Sequence, residues 1–162
     1  MTITPAERAF FDQYDAHVAQ IVRTHGVFIQ SVSGHVPVHE SPCFAYTVGL
    51  HGIGHPELLV FELAQSDAAR VLNALAARVR GGESLLPGRA VEVEEWPRRA
   101  VLERVPNSWE IAFQANDHYG LPPFAAVELL QVTYSDSRGC FPWDDGYDLP
   151  AWTQPRPGEF RA

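Results

Sequence analysis

Residues 43–63, CFAYTVGLHGIGHPELLVFEL, join two strand-like runs through a loop that carries Gly49, Gly52, Gly54, His51 and His55. The first run, 44–50, is apolar but includes Tyr46 and Thr47; the second, 58–63, has the short apolar pattern of a buried strand and is followed by helix signals. Two such runs around glycines read as a hairpin whose polar loop lies at the mouth of a core. Hydroxyls, imidazoles and backbone N–H groups held beside rigid strands are how binding and catalytic sites are commonly built.

Working outward, Thr4-Pro5-Ala6-Glu7 forms a capping box with proline at the first helical position. Phe10, Tyr14, Val18, Ile21 and Val22 follow at helical spacing, predicting a helix to about Thr24 with Gly26 as its stop. The β-branched run 27–32 reads as a strand and 33–42 as a loop. A second helix is expected to open at Ser66 or Asp67, with Val71, Leu72, Leu75, Ala76 and Val79 as its apolar stripe and Gly81-Gly82 as its end. Residues 90–96 and 100–105 alternate apolar and charged positions, as a half-exposed antiparallel pair does. Asn107 and Glu110 repeat the capping-box spacing, predicting a third helix up to Gly120-Leu121-Pro122-Pro123, and 124–134 reads as the last strand after a short turn. Residues 135–162 lack periodicity, yet Phe141, Trp143, Tyr147, Trp152 and Phe160 carry too much apolar area for a solvated linker. They read as an arm wrapped on the domain.

The expected fold is therefore α+β over a single domain, 1–162: a mainly antiparallel sheet of five to six strands, about three packed helices and an ordered C-terminal arm. At 162 residues and 46% hydrophobic content, the chain can bury a sizeable core without metals or disulfides. No window has the run of about 18 apolar residues of a membrane span, and the first residues lack the pattern of a signal peptide, so a cytoplasmic location is expected.

Composition excludes several classes of function. The formal net charge of −8 argues against a nucleic-acid partner, which needs a basic face. All 12 basic residues are arginine, so the chain alone supplies no lysine for a Schiff base or a Walker A phosphate loop. Cys43 and Cys140 form no CxxC pair and no four-cysteine zinc site, and both read as packed thiols.

Together, CFAYTVGL and HGIGHPELLVF, the helix ending in RVRGGE, and FPWDDGYD resemble the bacterial domain-of-unknown-function 4262 family. The resemblance covers most of the chain and implies a soluble bacterial α+β domain, with no established activity or catalytic residues to transfer.

His51 and His55 are the sharpest candidates for chemistry. Their spacing would place both imidazoles on one side of a helix, but the intervening glycines indicate a turn. His35 and His39 repeat that spacing in a second loop, so a two-loop site is geometrically open, as is a hydrogen-bonding role for His55; no metal is assigned. The three loop glycines could aim N–H groups at an anion or simply make the turn. Tyr46 and Thr47 point to opposite sheet faces, so one of them lines a pocket or both serve packing. Asp117-His118 could support acid–base work, or His118 could suit the helix C-terminus. Asp144 and Trp143 could close a site from the arm, or Pro142-Trp143-Asp144-Asp145-Gly146 could be a rigid turn.

The leading reading is a domain that binds a small molecule between segment 46–57 and the Trp143 region, with histidine acid–base chemistry. It assigns His51, His55 and Asp144 to catalysis, and Tyr46, Thr47, Gly52, Gly54, His118 and Trp143 to ligand binding. The cofactor is unknown. The rivals are a flavin-binding enzyme of split-barrel type and a non-enzymatic acidic interaction or immunity module facing a basic partner.

Overall fold

The computed structural model describes residues 2–34 and 41–162. His35 and His39, with the two-loop histidine site built on them, lie outside the described residues.

The capping box forms as the sequence requires. Thr4 Oγ1 accepts the Glu7 N–H while Glu7 Oε2 accepts that of Thr4, and helix α1 (Pro5–His25) ends at Gly26, whose left-handed φ of 86° only glycine adopts freely. Strand β1 (Phe28–Val32) pairs antiparallel with β2 (Phe44–Val48), and β2 with β3 (Glu57–Phe61), so the expected hairpin is present. Helix α2 (Gln65–Arg80) starts slightly earlier than expected. Extended Ala64 caps it without a side-chain bond, and Asp67 instead sits in the first turn and pairs with Arg70. Strand β4 (Ala90–Glu92) is shorter than its alternation suggested. Glu95 adopts a positive φ of 64° and the Trp96 N–H bonds Val93 O, turning the chain before Trp96.

The third helix is the main departure from the sequence reading. Asn107 does not cap it: its amide donates to the Glu110 carboxylate and Phe160 O, and a 3₁₀ turn (Ser108–Glu110) precedes a short helix α3 (Phe113–Tyr119). Likewise Pro123–Ala125 is a 3₁₀ turn, which delays strand β6 to Leu129–Tyr134.

With β5 (Arg99–Arg104), the strands form one mixed sheet in the order β1-β2-β3-β6-β5-β4. Every neighbouring pair is antiparallel except β3 with β6. Among the described residues the fold is thus α+β, with three helices on a six-stranded, mostly antiparallel sheet. The sheet is open, with β1 and β4 at its edges. This corrects the split-barrel alternative, because short strands around a glycine loop do not impose closure when helices cover both faces.

Strand alternation divides the core in two. Ala45, Leu58, Val60, Leu102, Leu130 and Val132 face α2. Phe44, Tyr46, Val48, Leu59 and Phe61 face α1 and α3. The arm covers the rest of this second face: Gln131 donates to Pro155 O, and Phe160 packs edge-on against Phe44 and Phe61. No described helix is long and apolar enough to cross a membrane.

Candidate functional site

Glu57 opens β3 and is fully buried. A buried carboxylate needs several donors to offset lost hydration, and the preceding loop supplies them. Oε1 accepts the N–H groups of Gly49 and His51 at 2.9 and 3.0 Å; Oε2 accepts the Thr47 hydroxyl at 2.6 Å and the Leu50 N–H at 3.2 Å. Thr47 Oγ1 in turn accepts the Leu58 N–H, which directs its own proton to Glu57. Burial pushes the Glu57 carboxyl above its ordinary range, while the Thr47 hydroxyl and the three N–H groups oppose that shift. All four partners are donors, the contact set of a carboxylate rather than of an acid.

The glycine loop is therefore a nest already filled by an internal anion. Gly52 N–H donates to the Tyr119 hydroxyl, and the N–H groups of Ile53, Gly54 and His55 bond carbonyls within the loop. No N–H from 49 to 55 is left for an outside anion, and Gly52 and Gly54 shape a 3₁₀ turn over His51–Ile53. Gly49 has a steric requirement as well: at φ 137°, a Cβ would stand 2.4 Å from Gly26 O.

The two loop histidines differ. His55 Nδ1 contacts Pro56 O at 2.7 Å and Nε2 accepts the Leu85 N–H at 3.0 Å, so both ring nitrogens are engaged by backbone and the neutral Nδ1–H tautomer is specified. This is the hydrogen-bonding role. His51 is exposed, with its ring 4.7 Å from that of Tyr119, and His118 flanks the same tyrosine at 4.6 Å. Burial lowers the His118 pKa, an effect partly offset by the charge of Asp15.

Tyr46 and Thr47 do face opposite ways. Thr47 serves Glu57, whereas the Tyr46 hydroxyl accepts the Gln114 N–H at 2.8 Å, at the start of α3. Burial, opposed by that N–H, raises the Tyr46 pKa. Beside Tyr46, a groove of about 510 Å³ runs between the first half of α1 and α3, walled by Phe10, Phe11, Tyr14 and Phe113 with Asp15 and Asp117 at its edge. Phe10, Phe11 and Phe113 are 62%, 53% and 49% exposed. Burial raises the Asp117 carboxyl, and the charge of Asp15 raises it further.

Trp143 lines a different cavity, with Pro87, Arg104 and Arg156. Its ring stacks on Phe141 at 4.9 Å and lies under the Arg156 guanidinium at 5.0 Å, while Arg99 lies over Phe141. Asp144 caps the turn by accepting the Phe141 N–H at 2.8 Å. The buried Asp136 carboxylate organises the same segment by accepting the N–H groups of Arg138, Cys140 and Asp148. Tyr46 and Trp143 thus belong to separate cavities, and the 46–57 segment is joined to α3 rather than to the arm. Among the described residues no group of three His, Cys, Asp or Glu side chains is placed to hold a metal, and both cysteines are free.

The family model for the domain of unknown function DUF4262 matches residues 21–148. The chain belongs to this DUF4262 family. The matched stretch holds Tyr46, Glu57, the glycine loop, α3 and Trp143, whereas the α1 wall of the groove precedes it. No curated protein and no solved structure matches the chain.

Glu57, Asp15, Phe113 and Asp136 are absent from the residues chosen by sequence reasoning. For Glu57 a signal existed: a lone carboxylate opening an otherwise apolar buried run must carry its own donors. No local signal joined Asp15 to Asp117, which approach only when α1 and α3 pack on the same sheet face.

Proposed function

We propose that this DUF4262 domain binds a small molecule, and that the groove between α1 and α3 is the binding site. The observation that carries this reading is the groove itself. Its volume of about 510 Å³ falls in the range of ligand pockets, and its wall combines apolar rings with a few convergent polar groups. Tyr46 and Gln114 supply a rigid floor on β2 and α3, and the Gln114 amide is held by Asp15 Oδ1 at 3.0 Å.

The glycine loop takes a supporting part in this reading. Glu57 holds the end of β2, and the Gly52–Tyr119 bond ties the loop to the helix that carries Phe113 and Asp117. The histidine acid–base chemistry of this reading falls to His118, which follows the groove residue Asp117 in α3, because His55 has both ring nitrogens engaged by backbone and His51 lies outside the groove lining.

A protein-observed NMR screen of small neutral and charged fragments tests the proposal. It expects shift changes clustered at Tyr14, Gln30, Phe113, Gln114 and Asp117. Clustering at 51–55 or 141–147, or no binder from the whole set, would overturn it.

A further inference from the structure

Resting on that reading, we infer that the groove's ligand is a small organic monocation with a flat apolar body: an aromatic or heteroaromatic amine. Five aromatic rings line the groove together with the carboxylates of Asp15 and Asp117, and no basic side chain is among its described lining residues. Among the described residues, neither carboxylate takes part in an ion pair. The nearby imidazole of His118 is kept from neutralising them at neutral pH by its burial. Asp117 already feels the unfavourable charge of Asp15, and an ammonium placed between the two would relieve that repulsion.

The chemistry of the walls selects the rest of the ligand. Exposed ring faces attract cations and flat π-systems alike, and their attraction to a cation grows as water is displaced. A free anion would meet two carboxylates and, among the described lining residues, no cation. A neutral aromatic could use the rings but would leave the charges unanswered. Among the described residues, Asp15 is held by the Gln114 amide through Oδ1, and Oδ2 has no hydrogen-bond partner there, so it can meet an ammonium.

The test uses a matched pair of probes, tryptamine and tryptophol, which share an indole and differ by ammonium against hydroxyl. Both are titrated by NMR into the full chain and into an Asp15→Asn/Asp117→Asn variant. Both substitutions lie on exposed helix positions, so the variant is expected to fold, which its spectrum verifies. The expected result is groove-localised binding of tryptamine about tenfold tighter than tryptophol, the combined scale of one cation–π contact and one exposed ion pair, with the preference lost in the variant. Equal affinities for the two probes in the groove would overturn the cationic class and leave the small-molecule reading standing. Tryptamine shifts scattered over the acidic surface, or no groove response to either probe, would overturn the cationic class, while the small-molecule reading is decided separately by the fragment screen.

Discussion

The Thr47 hydroxyl stands 2.6 Å from Glu57 Oε2 and joins a strand to the fully buried carboxylate that opens its neighbour. Through this pair and three loop N–H groups, one charged residue fixes the turn between β2 and β3. A loop that looks open to anions in sequence is closed by its own.

Removing that anion should cost stability well beyond an average surface change. Glu57→Gln presents an amide N–H₂ to donors and is expected to lose about 1–3 kcal/mol, the cost of leaving a buried hydrogen-bonding group unpaired. Glu57→Ala, which orphans all four donors, should lose more. Urea denaturation measures both, and faster amide exchange at Gly49, Leu50 and His51 would place the loss in the loop.

His55→Ala should lower stability by about 1–2 kcal/mol, because the Leu85 N–H loses its acceptor. Its probe binding in the groove should match that of the parent chain. A fall in groove affinity would show that His55 acts on the ligand.

The carboxyl of Asp117 should titrate above the ordinary aspartate range, and Asp15→Asn should bring it down by removing the nearby negative charge. The sign for stability follows: a carboxyl whose folded pKa is raised binds its proton more tightly when folded. It therefore favours folding at low pH and withdraws that contribution as pH rises from the unfolded value, about 3.9, through the folded one. His118, lowered mainly by burial, acts oppositely. Its contribution is intact above about 6.5, the unfolded histidine value, and is lost as pH falls from there toward its folded pKa. Carbon-detected NMR titration of both groups checks the directions, and His118→Gln should flatten the stability profile below neutrality.

Arg156 pairs with both oxygens of Glu103 at 2.8 and 2.7 Å and lies over Trp143. Arg156→Ala should cost about 1 kcal/mol through a partly exposed ion pair and one cation–π contact. It should also release the Trp143 ring, read as increased acrylamide quenching of tryptophan fluorescence.

The elements that were legible in sequence are those whose information is local. The Thr4–Glu7 capping box, the α2 stripe and the Tyr46–Leu59 hairpin each rest on residues a few positions apart. Asn107 misled because the same spacing that makes a capping box also lets an asparagine amide tie its Glu110 to the arm at Phe160. The parallel pairing of β3 with β6 joins distant strands and leaves no periodic mark. Around the candidate site, the opposite facing of Tyr46 and Thr47 is legible from strand alternation, and it puts Tyr46 beside the groove and Thr47 on Glu57. The Asp15–Asp117 pair was not, since only the packing of α1 and α3 against one sheet face brings it together.

A crystal structure of the chain with tryptamine tests the central claim most directly. The account predicts the amine in the groove, with its ammonium within hydrogen-bonding reach of Asp15 or Asp117 and its indole against Phe113 or Tyr14. Tryptamine seated at the glycine loop or beside Trp143, with the groove empty, would contradict it.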